Sequence, residues 1–378
     1  MKVLLWYWGR KGGGALYTLE MARAIKAQGI DLHLSLSRQS DLFDNFLELD
    51  LPGYHVDTYT SKGQFIKSCF QLPSIRRNFL NYVRKNSFDM VFSTMHHVWG
   101  GFIAGGFRRE GIPYVLTVHD ALIHPGDSGL LHQPLLDMHI SQANAAIALT
   151  DTVKETLLGR GFPRLERVSV VPHGIFPYYV PLGPRFLPVD RAPRVLFYGR
   201  ISHYKGLQHL LKAWPGVLRK IPNATLEIWG QGDLGKMLTS IKSESSITLV
   251  NRWISEDEIG RIFQECDLCV LPYIEASQSG VVAIALAAGM PVVVTPQPGL
   301  IEQIREGGGI IAKSLATADI CDAIVALLSD GLLYYKESRR GLDAARKLDW
   351  NVLASSVGSF LEEVSSSHVI SKSQRGVT

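Results

Sequence analysis

Short, wholly apolar segments alternate with helix-forming segments along this chain, and this alternation limits the possible folds more than any other feature. The run from Val3 to Trp8 precedes a glycine cluster and a stretch from Ala15 to Gln28 with apolar residues at helical spacing. The same order recurs around the apolar segments "FDMVFST", "PYVLTVHD" and "AAIALT". Strands that are apolar on both faces and separated by helices are typical of a parallel sheet covered on both sides. The first half of the chain is therefore predicted to be a doubly wound α/β domain.

A proline-rich segment interrupts this pattern near the middle of the 378 residues. Six prolines occur from Pro172 to Pro193, a density that excludes a regular element of any length. The alternation then restarts with "RVLFYGR" and continues through "ATLEIWG", "LCVLPY" and "PVVVT", which indicates a second doubly wound domain. We predict a first domain at 1–172, a linker at 173–192, a second domain at 193–350, a C-terminal helix at 351–366 that packs on the first domain, and a flexible tail at 367–378.

Charge and composition exclude several classes of protein. A formal net charge of +4 is too small for phosphate neutralisation to dominate binding, which argues against nucleic acid as a partner. No apolar run approaches the roughly 20 residues that span a bilayer, so we expect a cytoplasmic protein. Cys266 and Cys269 share a Cys-x-x-Cys spacing within "QECDLCVLPY", where we expect core residues rather than a metal or redox motif.

A glycine-rich loop, Gly9 to Gly14, follows the first predicted strand and opens the first helix. Backbone N–H groups at such a helix start favour an anion or sugar oxygens, although the loop could equally be only a tight turn. A dinucleotide fingerprint that begins at Gly12 would require glycine where Tyr17 stands, and a Walker loop would require Lys-Ser or Lys-Thr where Ala15 and Leu16 stand. A dehydrogenase and an ATPase are therefore disfavoured.

Two cations flank the first loop of the second domain. In "VLFYGRISHYKGLQHLLKA", Arg200 directly follows a strand and Lys205 directly precedes a helix. Both cations then meet the positive end of the helix dipole, an arrangement that suits a diphosphate. The alternative is a pair of solvated loop charges.

The stretch "LPYIEASQSGVVAIALAAGMPVVVT" is the most specific part of the sequence and predicts a strand, a polar turn and a helix of small residues. The backbone N–H groups of Ser279, Gly280 and Val281 would point out of the helix start toward phosphate oxygens. Glu275 and Ser277 lie in the turn, where Glu275 can accept hydrogen bonds from sugar hydroxyls. Glu275 could instead only cap the helix.

These motifs together resemble glycosyltransferase family 4. The resemblance rests on Gly-Arg-x4-Lys-Gly at Arg200 and Lys205, on Glu275, on the Ser-Gly turn, and on "AAGMPVVV" with Glu302 beyond it, and it extends over nearly the whole chain. It implies the GT-B fold, in which two Rossmann-like doubly wound domains face each other across a cleft. It also implies a metal-independent mechanism and transfer with retention from a UDP-, GDP- or ADP-sugar. We expect transfer of a hexose, from a UDP-sugar first of all, to a saccharide or lipid-linked saccharide acceptor in polysaccharide or glycolipid biosynthesis.

The resemblance assigns roles by position. Arg200 and Lys205 would bind the diphosphate, Glu275 the donor hexose, and the amides from Ser279 to Val281 the distal phosphate. His119 in "VLTVHD" would face the reacting sugar and so completes a catalytic set of His119, Arg200, Lys205 and Glu275. The donor contacts expected besides Arg200, Lys205 and Glu275 are Gly13, Gly14, Trp253, Ile254, Ser277, Ser279, Gly280 and Val281.

One departure from the family concerns the nucleoside. The family commonly has two glutamates separated by seven residues, but Ala283 stands at that distance from Glu275, and Ile284 occupies the helix position where a second carboxylate usually binds ribose. The ribose contacts therefore stay open. The chain contains no Asp-x-Asp sequence, in agreement with a site that needs neither metal nor other cofactor.

Two alternatives share this domain pattern. A sugar-nucleotide epimerase or hydrolase would convert the donor without any acceptor. A non-catalytic sugar-nucleotide-binding subunit would bind the donor without turnover, and the missing second carboxylate favours this alternative slightly.

A basic stretch in the first half indicates a second kind of contact. From Lys62 to Lys85 the chain holds six cations and no acid, interleaved with Phe65, Ile66, Phe70, Phe79 and Tyr82. This pattern is typical of a segment that lies on an anionic membrane surface, and it equally fits a solvated helix that covers the domain. We therefore expect a peripheral membrane contact as one of two interpretations.

Overall fold

The computed structural model describes residues 1–123, 131–176, 178–235 and 237–375, and its contacts divide them into two compact units. The first unit contains residues 1–123, 131–172 and 350–375. The second contains residues 173–176, 178–235 and 237–349. The last helix of the chain therefore belongs to the first unit.

The regular elements alternate as strand and helix in both units. The strands are β1 Lys2–Tyr7, β2 Asp31–Leu36, β3 Met90–Ser93, β4 Tyr114–Val118, β5 Ala145–Ala148, β6 Arg167–Val170, β7 Arg194–Tyr198, β8 Thr225–Trp229, β9 Ile247–Val250, β10 Leu268–Leu271, β11 Val292–Val294 and β12 Gly309–Ile311. The helices are α1 Gly13–Ala27, α2 Phe43–Leu47, α3 Lys62–Asn86, α4 Gly100–Arg109, α5 His132–Ile140, α6 Asp151–Gly159, α7 Leu207–Lys220, α8 Met237–Lys242, α9 Glu256–Glu265, α10 Gly280–Ala287, α11 Pro298–Gln303, α12 Thr317–Ser329, α13 Gly331–Arg346 and α14 Trp350–Arg375. A 3-10 turn covers His203–Lys205.

Each unit is built on a sheet of six parallel strands. The order is β2-β1-β3-β4-β5-β6 in the first unit and β12-β11-β10-β7-β8-β9 in the second. In both sheets the central strands are buried, as the apolar runs predicted, and the side chains of α3 and α4, or of α7 and α12, complete a core with them. The predicted fold class of two doubly wound parallel sheets is confirmed.

Two edge strands escaped the sequence analysis. β6 and β12 each lie at one end of a sheet and have only partly buried or exposed side chains. An edge strand needs fewer apolar residues because one of its sides has no neighbouring strand, so it lacks the continuous apolar run that marked the others.

The segment predicted as a linker is attached to the second unit along part of its length. The Arg185 guanidinium donates hydrogen bonds to the carbonyl oxygens of Phe263 and Gln264, at 2.9 and 3.1 Å. Arg191 forms a two-pronged ion pair with the buried carboxylate of Asp267, with both N···O distances 2.7 Å. Prolines prevent regular structure here, as expected, but two arginines replace backbone pairing with side-chain hydrogen bonds.

The C-terminal helix is longer than the predicted 351–366. α14 continues to Arg375, through much of the stretch that we expected to form a flexible tail; residues 376–378 lie outside the described residues. Its start is fixed by the Trp350 ring, 5.2 Å from the Tyr17 ring of α1 in an edge-on contact. Further along, His368 Nε2 is 3.0 Å from the Gly111 carbonyl oxygen, a contact beyond the expected end. Since adding a residue to an existing helix costs little, such an anchor extends it through a sequence without apolar periodicity.

Histidines lie among aromatic rings in the core of the first unit. His139 is fully buried, and its Nε2 is 2.6 Å from the Tyr114 hydroxyl while its Nδ1 is 3.1 Å from Nδ1 of His96. His97 is 8% exposed, and its Nδ1 accepts a hydrogen bond from the Trp99 backbone N–H. Burial, reinforced by His96 and Arg10, lowers the pKa of His97 to about 3, and burial lowers the pKa of His139 well below its usual value. Both rings are therefore neutral in the folded protein at neutral pH.

The buried histidines predict that acid destabilises the fold. The unfolded chain takes up protons on these residues below about pH 6.5 while the folded chain does not, so the free energy of unfolding falls as the pH falls. His97 alone accounts for a loss of about 2 kcal/mol between pH 7 and pH 5. Urea unfolding followed by tryptophan fluorescence at both pH values measures this loss.

The matched variants are His97→Asn, whose side-chain oxygen can still accept the Trp99 N–H, and His203→Asn at an exposed position. His97→Asn should flatten the pH dependence and His203→Asn should leave it unchanged. Equal slopes in both variants and the parent protein would contradict the assignment.

Candidate functional site

In the second unit, two loops at the carboxyl ends of β7 and β10 are held against each other by a glycine. Gly206 has a φ of 67°, and a methyl group at its Cα would lie 1.8 Å from the Pro272 carbonyl oxygen. The Ile274 backbone N–H donates to the Tyr204 carbonyl oxygen at 2.7 Å and joins the same two loops. Only glycine combines this left-handed conformation with so close an approach. The glycine after Lys205 in the sequence motif thus has a structural cause.

The two predicted cations lie on this pair of loops. Lys205 Nζ donates to the Tyr273 hydroxyl at 2.6 Å and lies 4.2 Å from the centre of that ring. Arg200 follows β7 and Gly199, and its guanidinium carbon is 6.0 Å from the centre of the Tyr204 ring. Lys205 Nζ is 5.7 Å from the same ring, so the two cations flank Tyr204. The structure therefore brings Arg200 and Lys205 together.

Tyr273 links the cation loop to the start of α10. Its hydroxyl is 3.2 Å from Ser279 Oγ as well as 2.6 Å from Lys205 Nζ. Burial raises the pKa of Tyr273, so the phenol stays neutral, accepts from the ammonium and can donate to the serine. This chain of hydrogen bonds fixes the position of the Lys205 charge. Sequence reasoning missed Tyr273, although its place directly after a buried strand was a signal.

The start of α10 differs from the prediction at Ser279. The Ser279 N–H donates to Gln303 Oε1 at 2.7 Å, and Gln303 Nε2 donates back to the Ser279 carbonyl at 3.0 Å. This N–H is therefore already engaged within the protein, and the first-turn N–H groups of Gly280 and Val281 are the ones without a partner inside the helix. No local pattern in the sequence links Gln303 to Ser279, because the contact spans 24 residues.

His173 also reaches this helix start. A Cβ placed on Gly280 would be 3.6 Å from His173 Nε2, so the imidazole lies over the first residue of α10. The ring is buried and its Nδ1 is 2.7 Å from the Gly174 carbonyl oxygen. His173 is the first residue of the linker predicted at 173–192, and no role was predicted for it.

The other expected donor residues of this unit are spread along the carboxyl edge of its sheet. Glu275 and Ser277 lie in the partly exposed loop between β10 and α10, and the Ser277 carbonyl packs against Gly299. Trp253, in the loop after β9, is 62% exposed, whereas its neighbour Ile254 is buried in the fold. Trp253 can therefore offer a ring face to a ligand, and Ile254 supports the loop.

No carboxylate takes the place of the missing second glutamate on α10. Ala283 and Ile284 are 1% and 7% exposed, and both point into the protein. The helix is apolar around its whole circumference, which fits its burial beneath the Ser279 turn.

In the first unit, the glycine loop forms an open helix start at the carboxyl end of β1. Gly12 has a φ of 83° and precedes the first residue of α1, Gly13. A methyl group at Gly13 would meet no atom of the described protein within 4 Å, whereas one at Gly14 would lie 2.8 Å from the Met95 side chain. Gly14 therefore serves packing, and Gly13 leaves space beside the helix start.

His119 lies at the carboxyl end of β4. Its Nε2 is 3.0 Å from the Thr94 carbonyl oxygen, and its ring makes an edge-on contact with Tyr17 at 4.8 Å. Burial lowers the pKa of His119, with a smaller opposing effect of Asp120, so the imidazole is neutral at neutral pH. A neutral ring donates to Thr94 through Nε2–H and has an acceptor at Nδ1.

Other polar groups on this edge were not assigned a role from the sequence. The Arg10 guanidinium stacks 4.4 Å above the Tyr59 ring, and His96 follows β3. Burial, with His132 nearby, lowers the pKa of His96 to about 4. The signal was available in "FSTMHH", where two histidines directly follow a buried strand.

Three other expectations concern metals, membranes and thiols. Among the residues described, no group of three or more histidine, cysteine, aspartate or glutamate side chains is arranged to hold a metal ion. None of the described helices combines the length and apolar character that crossing a bilayer requires. Cys266 and Cys269 are buried and unbridged, as the core interpretation predicted, and burial raises the pKa of Cys269 to about 12.

Comparisons with known proteins agree on one family. Residues 11–177 match the model described as "Glycosyltransferase Family 4", and residues 192–330 match "Glycosyl transferases group 1". The phosphatidyl-myo-inositol mannosyltransferase of Mycobacterium leprae is 25% identical over 378 aligned residues, which cover 94% of each chain.

Solved structures share the fold. The sucrose-phosphate synthase of Thermosynechococcus elongatus superposes with a TM-score of 0.74 at 16% identity, covering 97% of this chain and 99% of that one. The Anabaena protein HepE in complex with UDP and glucose superposes with a TM-score of 0.73 at 16% identity, covering 96% and 99%. With the two family matches on the two units and the GT-B sheets beneath them, the chain belongs to glycosyltransferase family 4, within the group 1 glycosyl transferases.

Proposed function

We propose that this glycosyltransferase transfers a hexose from a nucleotide-sugar, a UDP-sugar first of all, to a saccharide or lipid-linked saccharide acceptor, with retention and without a metal ion. The observation that carries the proposal is the Lys205–Tyr273–Ser279 chain of hydrogen bonds beside Arg200. It holds cationic groups near the open start of α10, where phosphate oxygens are favoured. Polysaccharide or glycolipid synthesis in the cytoplasm is the proposed setting.

The leaving diphosphate explains why these groups matter. Negative charge grows on it as the bond to the sugar breaks, and preorganised cations and N–H groups that face this charge lower the barrier. Arg200 and Lys205 perform this role in the proposal, together with the N–H groups of Gly280 and Val281. Glu275 accepts hydrogen bonds from the hexose hydroxyls, and Trp253 offers a face to the base.

Retention is proposed to occur by attack on the face that the diphosphate leaves. The leaving phosphate takes the acceptor proton, and no covalent nucleophile is needed. Because burial keeps His119 neutral, its proposed contribution is a hydrogen bond that orients the reacting sugar rather than a positive charge.

The relatives support this choice of donor and acceptor. HepE is described in complex with UDP and glucose, and the Mycobacterium relative is named for mannosyl transfer to phosphatidyl-myo-inositol. The first bears on the nucleotide of the donor, and the second on an acceptor that carries a lipid. Since the two relatives are described with different sugars, the test must include donors with several bases and sugars.

The first prediction about the proposed transfer concerns donor binding through Lys205. Calorimetric titration in the presence of EDTA with UDP-glucose, UDP-galactose, UDP-N-acetylglucosamine, GDP-mannose and ADP-glucose should show one preferred donor. Lys205→Ala should weaken its binding by roughly 10- to 100-fold, because a hydrogen bond to a charged group is lost. Lys212→Ala, at an exposed position of α7, is the matched control and should bind as the parent protein does.

Product analysis after incubation of the same donors, with and without acceptors, separates the alternatives. Conversion of the donor without acceptor would favour an epimerase or hydrolase, and binding without transfer to any acceptor would favour a non-catalytic subunit. Binding that appears only after a divalent metal is added would contradict the metal-independent mechanism.

The second prediction uses the space beside Gly13. Gly13→Ala adds a methyl group that meets nothing within the described protein, and alanine suits a helix better than glycine does. Thermal stability should therefore be unchanged or higher, while kcat/KM falls by about tenfold if a substrate occupies that space. Gly159→Ala in α6, where a methyl group likewise meets nothing, should also leave thermal stability unchanged or higher, but it should not change kcat/KM. Full activity in Gly13→Ala would show that no substrate occupies the space beside Gly13.

The third prediction concerns His119. His119→Ala should lower kcat by about 100-fold, within the range for a positioned group that acts only in the transition state. His119→Gln can keep a donor for the Thr94 carbonyl, so it distinguishes a structural role from a role toward the sugar. Turnover that survives in the glutamine variant would show that the hydrogen bond to Thr94 is the whole contribution.

A peripheral membrane contact through Lys62–Lys85 is also proposed. The packing of α3 limits the residues that can take part in this contact. Phe79 is buried, whereas Ile66 and Phe70 are 62% and 83% exposed. Arg84 is paired with Glu110 through two hydrogen bonds of 2.6 and 2.8 Å, which removes its charge from the basic face. Support for the contact therefore comes from the exposed apolar residues and the remaining cations.

A further inference from the structure

A cationic cavity lies on the α3 and α4 side of the first unit. It has a volume of about 550 Å³, and its lining includes Arg76, Arg108, Arg109 and Arg164. Arg76 comes from α3, Arg108 and Arg109 from the end of α4, and Arg164 from the loop before β6. The ends of α4 and of this loop precede strands, so the cavity lies toward the amino ends of the sheet, away from His119 and Gly13.

The arginines of this cavity have no acidic partner within the described part of the chain. Nearby, Arg84 pairs with Glu110 and Arg160 pairs with Asp137, so this region does neutralise other arginines. Four guanidinium groups around one cavity make the local electrostatic potential positive and favour an anion among them. The planar guanidinium forks match the oxygens of a phosphate group.

Two neighbouring glycines of α4 bring other groups close, and the first of them, Gly105, lines the cavity. A methyl group at Gly105 would lie 3.2 Å from Gln142 Oε1, the atom that accepts a hydrogen bond from Arg164 Nη1 at 3.2 Å. A methyl group at Gly106 would lie 2.4 Å from the Leu80 side chain, so this glycine lets α3 approach α4. The hydrogen bond to Gln142 thus fixes the position of Arg164.

A groove with both apolar and charged side chains adjoins the cavity. This second cavity, of about 790 Å³, shares Arg76, Phe102 and Arg109 with the first and continues along α3 past Leu72, Pro73 and Leu80. Its charged lining also includes Arg77 and the ion pair of Arg84 with Glu110. Phe102 is 52% exposed at the junction. A free phosphate would use only the cationic cavity, whereas a molecule with an anionic head and an apolar body would use both.

We propose that the cavity formed by Arg76, Arg108, Arg109 and Arg164 binds the phosphate of an anionic phospholipid, whose apolar part lies along Phe102 and the α3 groove. This inference deepens the proposed membrane contact and rests on it, because it names the group on the membrane that the first unit recognises. It does not depend on which sugar is transferred.

The test compares guanidinium geometry with charge alone. The full chain is sedimented at low salt with vesicles that contain phosphatidylglycerol in phosphatidylcholine, or phosphatidylcholine only. Replacing Arg108, Arg109 and Arg164 together by Gln should weaken binding to the anionic vesicles on the order of 100-fold. Replacing the same three by Lys keeps the charge and should still weaken binding about tenfold, because the paired hydrogen bonds are lost.

The matched control replaces three exposed arginines of the second unit, Arg219, Arg305 and Arg339, by Lys, and should bind as the parent does. Glycerol 3-phosphate, a free phosphate compound, is added as a competitor of the vesicles. Phe102→Ser should weaken vesicle binding, whereas glycerol 3-phosphate should bind this variant as it binds the parent. Thermal unfolding of every variant confirms that it is folded.

Each contrary result has its own meaning. If the parent chain does not bind anionic vesicles, the proposal of a membrane contact is itself wrong. The donor titrations then remain a separate test of the proposed transfer. If the parent binds but the lysine variant binds equally well, the attraction is diffuse and the cavity is not a site. If glycerol 3-phosphate binds the cavity while Phe102→Ser has no effect on vesicles, the ligand is a free phosphate compound, and the lipid assignment is overturned.

Discussion

The contact between Gly206 and the Pro272 carbonyl is the constraint on which the rest of the candidate donor site depends. It lets the loop after β7 lie directly on the loop after β10, at a distance that no side chain permits. Parallel strands deliver both loops to the same edge of the sheet, and the left-handed turn at Gly206 then starts α7. Lys205 is one residue before this turn, so the backbone contact decides where its side chain begins.

The neutral phenol of Tyr273 lies between the Lys205 ammonium and the start of α10. Tyr273 is buried and cannot ionise at neutral pH, so it does not neutralise Lys205 as a carboxylate would. It holds the ammonium by accepting one hydrogen bond and adds no negative charge of its own. Gln303 acts similarly on Ser279, since an uncharged amide satisfies both backbone groups of the turn without adding charge. The site therefore keeps its electrostatic character while its polar atoms are fixed in place.

The sequence predicted the fold well because burial on both faces leaves an unmistakable local pattern. The central strands, their parallel order and the position of Arg200 and Lys205 at the carboxyl edge follow from the apolar runs and from the rule that parallel strands share an edge, whereas the edge strands β6 and β12 do not. The contacts that fix the side chains of the site leave no such local pattern in the sequence. Gln303 with Ser279 and His173 with Gly280 depend on packing between distant segments. Tyr273 and Ser279 are only six residues apart, but they lie in an irregular loop, so no periodicity records their contact either.

The C-terminal helix has a consequence for how the protein is made. α14 packs against α1, where Gln28 Nε2 donates to the Asn351 carbonyl and Gly358 lies close to Ile30, yet these partners are separated by more than 300 positions. During synthesis on the ribosome, the whole second unit emerges before α14 does. The first unit, although translated first, must wait with one side of α1 uncovered and is the last of the two to complete its packing. A released chain truncated after residue 349 would thus contain the described part of the second unit and a first unit without α14.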